Sequence, residues 1–254
     1  MRKYIWIPLL LVLLTGCRND KKKNSVPAPP PAESPVAASV DSLTMSETIS
    51  FPETETWMDI DLNIGYIRDG LGDEAREAVN SSILSAAFGD GAAGKTFTEA
   101  SDSLYRSLLF AASEGEIEGP NELCLEGGFG EPYADYLCYK LYRYDYSGGA
   151  HGNGTTRCFV FDGRSGAIVS ESAFFKDGAK KKLSKLLTFA FMEYIGENDL
   201  LEGSFDNDIS PNGNFTLSEK GVTWLYNPYE IALATEDEIS LTIPWEKLKD
   251  LVRE

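Results

Sequence analysis

Apolar and polar residues alternate strictly over residues 57–66. Met58, Ile60, Leu62, Ile64 and Tyr66 fall on one side, and Trp57, Asp59, Asp61, Asn63 and Gly65 on the other. A period of two with one apolar face predicts a half-buried strand. From Gly72 and Asp73 the period lengthens, and Ala75, Val79, Ile83 and Ala87 mark a helix. A second helix is predicted through Leu104, Leu108 and Ala112, with Thr98, Ser101 or Asp102 as its cap. The chain then becomes aromatic and extended. Residues 137–146 (LCYKLYRYDY) and 155–161 flank a glycine-rich turn, and Asp162-Gly163-Arg164-Ser165-Gly166 makes another before Ile168 and Val169. Residues 180–195 return to helical period, with Leu183, Leu186, Leu187, Ala190, Phe191 and Tyr194 on the apolar side. Strands are predicted at 215–217, 222–226 and 239–243, followed by a helix that starts at Pro244 and runs through Trp245, Leu248 and Leu251. Helices segregated from hairpins predict an α+β fold, a mostly antiparallel sheet with helices packed against it.

The N-terminus follows a different logic. Arg2 and Lys3 precede an apolar run over residues 5–14, too short to span a bilayer, which closes on Leu13-Leu14-Thr15-Gly16-Cys17. Positive end, apolar segment and small residues are the parts of a secretory signal. The order Leu-Thr-Gly-Cys resembles the lipobox of bacterial lipoproteins. It implies removal of residues 1–16 and lipidation of Cys17, hence a membrane partner held through acyl chains. Residues 17–55 then read as anchor and tether, with Lys21-Lys22-Lys23 followed by Pro27, Pro29, Pro30, Pro31 and Pro35 among Ala and Ser. The rest divides into an N-terminal α+β part, 56–125, and a C-terminal α+β part, 126–254, expected to form one compact unit. The expected location is the cell envelope, at the outer membrane or the periplasmic face.

Charge narrows the partners. The chain carries −17, and loss of Arg2 and Lys3 with the signal takes it to −19. Such a surface repels nucleic acid and attracts cations or basic proteins. With Cys17 consumed by lipid, Cys124, Cys138 and Cys158 remain in a compartment that permits oxidation. If residues 122–126 pair with 134–141, Cys124 and Cys138 fall nearly opposite each other as a candidate disulfide, with reduced buried thiols as the alternative.

Three motif matches are weaker than they look. Gly89-Asp90-Gly91-Ala92-Ala93-Gly94-Lys95-Thr96 spells a phosphate loop, but the residues before it have helical rather than strand period, so no nucleotide is expected. Asp208, Ser210, Asn212 and Glu219 follow calcium-loop spacing, although Pro211 and a strand reading at Phe215 favour a plain Asn-Gly connection. His151, the one histidine, shares a turn with Ser147 and Asp145, and neighbours in one turn do not reach catalytic-triad geometry. The main reading of His151 is a ring hydrogen-bonded across the hairpin. No cofactor is implied.

The second half carries a family resemblance. Tyr146-Ser147-Gly148-Gly149-Ala150-His151-Gly152-Asn153, Val160-Phe161-Asp162, Phe215-Thr216-Leu217, Tyr226-Asn227-Pro228-Tyr229-Glu230-Ile231-Ala232 and Ile243-Pro244-Trp245 together resemble the extracellular domain of the RsiV anti-sigma factors. They are similar also to the N-terminal region of the deacetylase PdaC. The likeness covers residues 137–251 and is looser over 57–121, where Asn80 belongs to it. It implies an envelope-facing, noncatalytic module that binds a protein or a wall-derived ligand. Lysozyme, a basic protein, is the partner known for RsiV, and a peptidoglycan fragment is another. The candidate contact residues are those of the two motif loops: Gly148, Gly149, His151, Gly152, Asn153, Tyr226, Tyr229 and Glu230. The alternative is an enzyme acting on cell-wall glycan through carboxylates such as Glu230.

Overall fold

The computed structural model describes residues 37–197, 208–232 and 237–253; the expected signal, Cys17 and the proline-rich segment lie outside them. Strands β1 (Ser39–Phe51) and β2 (Thr56–Asp69) form a long antiparallel hairpin. The chain crosses through helices α1 (Asp73–Phe88) and α2 (Phe97–Ser113) to β3 (Pro120–Phe129), which runs parallel to β2. Strands β4 (Tyr136–Tyr146) and β5 (Asn153–Asp162) add on in antiparallel order, giving a five-stranded sheet β1-β2-β3-β4-β5. On β2, Met58, Ile60, Leu62 and Ile64 are buried against Val79 and Ile83 of α1 and Phe97 and Ala100 of α2. The predicted alternation therefore faces the helices.

Helix α2 begins where a capping box allows it. Thr96 Oγ1 accepts from the Glu99 N–H at 3.2 Å, and the Thr96 N–H donates to Glu99 Oε2 at 2.8 Å. The cap is thus Thr96, ahead of the predicted Thr98, Ser101 and Asp102. It is also the last residue of the phosphate-loop look-alike, which connects two helices, with Lys95 Nζ donating to Ser103 Oγ at 3.0 Å. A phosphate loop needs a strand before it, and here α1 precedes it.

The remainder of the chain comprises α3 (Glu171–Phe174), α4 (Lys180–Glu197), strands β6 (Phe215–Ser218), β7 (Gly221–Tyr226) and β8 (Ile239–Pro244), and α5 (Trp245–Leu248). The three strands form a second antiparallel sheet, β6-β7-β8. Phe175 stacks on Trp224, and Leu183, Leu187 and Phe191 of α4 join Tyr226, Leu241 and Ile243 in the second core. Cys138 and Val160 belong to that core, whereas Leu137, Tyr139, Phe159 and Phe161 belong to the first. Successive residues of β4 and β5 are therefore buried on opposite faces, one against the helices and one against the second sheet. The fold is α+β, with mostly antiparallel pairing.

Two sequence expectations need correction. The tether expected over residues 17–55 does not reach that far: Ser39–Phe51 is β1, a full strand paired with β2 from Ser39↔Asp69 to Phe51↔Thr56, with one register shift between Ser39 and Val40. Leu43, Met45, Ile49 and Phe51 point to the helices while Thr44, Ser46 and Thr48 face outwards, an alternation interrupted by Glu47. The second correction is the disulfide register. β3 and β4 pair with Cys124 opposite Tyr144, while Cys138 lies opposite Val160 on β5, and all three described cysteines are free thiols. The turn between β3 and β4 is longer than expected, because Tyr133 and Tyr136 bridge each other beyond the ladder.

Candidate functional site

The two sheets meet edge to face, and asparagine side chains make the seam. β5 is an edge strand, so the N–H and C=O groups of Thr156 and the N–H of Cys158 point away from β4. Asn227 covers the first pair: its Oδ1 accepts from the Thr156 N–H at 2.6 Å and its Nδ2 donates to the Thr156 carbonyl at 3.2 Å. Asn214 Oδ1 accepts from the Cys158 N–H at 2.6 Å, and its Nδ2 donates to the carbonyls of Thr156 and Leu225. From the other side the Cys138 thiol lies against β6, accepting from the Leu217 N–H at 3.2 Å. Burial raises the Cys138 pKa, so this group stays a neutral thiol. Buried strand edges are thus satisfied by side chains instead of by a further strand.

Beyond the seam the sheets diverge around a cleft of about 1120 Å³. Its floor is the outer face of β3, β4 and β5. Tyr142, Tyr144 and Lys140 alternate along β4 on that face, beside Glu126 and Gly128 of β3. The opposite wall is supplied by Thr216, Ser218, Asn227, Pro228, Tyr229 and the Asp237-Glu238 segment leading into β8. Two glycines let the tyrosines lie flat on β5. A Cβ on Gly154 would come within 2.7 Å of the Tyr142 hydroxyl, and one on Gly152 within 2.3 Å of Tyr144 Cζ. Charge in the cleft is one-sided, with Glu126, Glu131, Asp145, Asp237 and Glu238 against Lys140. Asp145 is held by a bidentate pair with Arg143 at 2.6 Å, and Glu238 Oε2 accepts from the Thr156 hydroxyl at 2.8 Å. Burial raises the Tyr142 pKa, and the nearby negative groups, Glu122 and Glu238 among them, add to the rise, so its phenol remains a neutral donor.

The predicted site residues separate into two groups. Gly148, His151, Gly152, Asn153 and Tyr229 line the cleft. Gly148 and Gly149 take φ of 85° and 98° in the turn after β4, where the Tyr146 hydroxyl donates to the Gly149 carbonyl at 3.1 Å. Tyr229, with φ of 63°, is 47% exposed. His151 is exposed, and its Nδ1 donates to the carbonyl of the next residue, Gly152, at 3.1 Å, so the expected bond across the hairpin is replaced by a local one. With Asp145 taken by Arg143, the Ser147, His151 and Asp145 neighbours do not assemble into a triad.

Tyr226 and Glu230 are structural. Tyr226 is 1% exposed, its hydroxyl donates to the Ser210 carbonyl at 2.9 Å, and burial raises its pKa. Glu230 receives Asn212 Nδ2 at 2.8 Å on one oxygen and the Asn227 N–H at 2.8 Å on the other. It clamps the turn that places Asn227 on β5. The calcium-loop spacing dissolves for the same reason: the Asn212 amide serves Glu230 and Leu225, and β6 stands between Asn212 and Glu219, which sits in the turn before β7. Asp208 and Ser210 precede that strand in the chain. Among the described residues no group of three or more His, Cys, Asp or Glu side chains is placed to hold a metal ion. No described helix is long and apolar enough to cross a membrane.

Sequence reasoning missed the cleft's central residues, Lys140, Tyr142, Tyr144, Glu126 and Glu238. The signal for the tyrosines was present, since Tyr142, Tyr144 and Tyr146 recur at the strand period on one face of β4.

A family model described as "Protein of unknown function (DUF3298)" matches residues 172–246, the stretch from α3 to α5. No curated protein matches the chain in sequence. The crystal structure of a DUF3298 family member from Bacteroides fragilis is similar with a TM-score of 0.75 at 20% identity, over 87% of this chain and 96% of that one. A DUF3298 family protein from Pseudomonas aeruginosa is similar with a TM-score of 0.69 at 16% identity, over 85% and 95%. At these identities the likeness is one of fold. The chain therefore carries a DUF3298 domain over residues 172–246, within a fold shared over most of its length with DUF3298 family proteins.

Proposed function

We propose that this chain is a noncatalytic binding module of the bacterial cell envelope, lipid-anchored through Cys17, and that the acidic, tyrosine-lined cleft between its sheets recognises a basic protein such as lysozyme. The observation that carries the reading is the joining of tyrosine rings and an excess of carboxylates in one open cleft. Carboxylates at its mouth speed the encounter with a cationic partner, while Tyr142, Tyr144 and Tyr229 supply the amphipathic anchors that specific complexes bury. The RsiV resemblance of the loops at 146–153 and 226–232 supports the same partner, since both loops reach this cleft.

The test is calorimetry of the chain against lysozyme and against an unrelated protein of equal basic charge. The expected outcome is a complex with lysozyme that weakens with salt, is lost by about tenfold or more in Tyr229→Ala, and is not matched by the unrelated protein. Equal, weak binding to both, abolished at moderate salt, would reduce the cleft to a generic acidic surface. One observation favours a second reading, an enzyme acting on wall glycan: Glu126 and Glu238 enter the cleft from different sheets. Sugar release from peptidoglycan that disappears in both Glu126→Gln and Glu238→Gln would establish it. Glu230, with both oxygens engaged, is not one of that pair.

A further inference from the structure

Among the described helices of this acidic chain, one is basic. Lys180, Lys181, Lys182 and Lys185 fall within the first turns of α4, and Glu193 is the first acid along it. At about 100° per residue, Lys181, Lys182, Lys185, Phe189 and Met192 share one sector of the helix surface, turned away from the buried Leu183, Leu187, Phe191 and Ile195. All five are exposed, Phe189 and Met192 each by 56%. A sixth group joins from α5, where Lys247 Nζ lies 5.5 Å above the Phe189 ring. Among the described residues none of these lysines forms a salt bridge.

We infer that this outer face of α4 docks on anionic lipid headgroups. Two apolar side chains stand on a helix ridge rimmed by lysines, and lysine is depleted from the cores of protein interfaces. On a lipid surface the same combination is favourable, because Phe189 and Met192 enter the headgroup boundary while the lysine stems lie along it and their ammonium groups meet phosphate. Docking through α4 would seat the DUF3298 domain on the membrane while leaving recognition to other surfaces. The inference is independent of the cleft: it fails or stands on lipid contact alone.

The experiment is lysine acetylation, read site by site by mass spectrometry, of the full chain mixed with vesicles. One set contains phosphatidylglycerol in phosphatidylcholine, the other phosphatidylcholine only, and both meet the same N-terminal segment. Lys181, Lys182 and Lys185 should react about threefold more slowly on the anionic vesicles than on the neutral ones, with Lys140 in the cleft unchanged. High salt should remove the difference, and the exposed double replacement Phe189→Ser with Met192→Ser should shrink it. Equal rates on the two vesicle types would overturn the inference. Equal protection by soluble polyglutamate would also overturn it, since the face would then bind any polyanion.

Discussion

Tyr139 occupies an uncomfortable position. It is fully buried on β4, and among the described residues its hydroxyl has no hydrogen-bond partner. Burial alone raises its pKa. The ring is held in place because residue 127 on β3 is glycine: a Cβ there would lie 2.1 Å from the hydroxyl oxygen and 3.2 Å from Leu141 Cδ1. Tyr139→Phe should therefore stabilise the protein by about 1 kcal/mol, since it removes a desolvated, unpaired group and leaves the packing intact. Gly127→Ala should cost about 1–3 kcal/mol through overpacking, and adding Tyr139→Phe should restore only part of it, because the ring carbon Cζ would still be 2.8 Å away. Denaturant midpoints of the two single variants and the double variant measure this coupling. A rise in stability for Gly127→Ala would show that the ring moves freely. The contrast with Gly152 is instructive, for there the neighbouring Tyr144 ring lies in the cleft and has room to swing away.

At the scale of elements, strand edges are closed by amides. Asn80 of α1 accepts from the Ile67 N–H at 2.9 Å and donates to the Ile67 carbonyl at 2.8 Å, where β2 has run past the end of its partner β3. Asn227 does the same to Thr156, and Asn214 reaches the Cys158 N–H. The side-chain amide carries one donor and one acceptor group in the arrangement of a peptide unit, so it substitutes for a missing strand. Asn227→Ala should speed exchange of the Thr156 amide hydrogen and lower stability by about 1–3 kcal/mol, with the Cys158 amide little affected. Asn214→Ala should do the reverse. Uniform acceleration in both variants would mean that the seam opens as one unit. The motif Asn-Pro-Tyr-Glu is legible in the sequence, but its role is not, because a short polar motif looks the same whether it grips a ligand or a strand edge.

For the molecule as a whole, stability should depend on alkaline pH through groups in and around the second core. Burial pushes the Cys158 thiol from 9.0 to about 12, and raises Cys138 and Tyr226 as well. In the unfolded chain Cys158 ionises near its ordinary value while in the folded chain it remains neutral, so unfolding releases protons between those two limits. Stability should be unaffected by this thiol below about pH 9 and fall steadily from there towards pH 12. The fall should be shallower in Cys158→Ser, which chemical denaturation at a series of pH values would show. An identical slope in the variant would assign the loss to Cys138 and the buried tyrosines.

Periodicity by itself determined most of the elements, because a strand or helix with one buried face writes its period into the chain. β2, α1, α4 and the final hairpin lie where the periodicity puts them, while α5 starts as predicted after Pro244 but ends at Leu248 instead of running through Leu251. The α+β class followed from their order. β1 escaped because it is an edge strand with a mostly exposed face, whose Ser and Thr resemble those of a tether. Only the tertiary structure decided the cleft. Its walls come from β3 to β5 on one side and from residues some seventy positions later on the other, and no local pattern encodes which surfaces two sheets leave open when they meet. The same holds for the fate of the candidate residues. Tyr226 and Tyr229 stand three apart in one motif, yet the first is sealed in the core and the second faces the cleft, because the turn clamped by Glu230 reverses the chain between them.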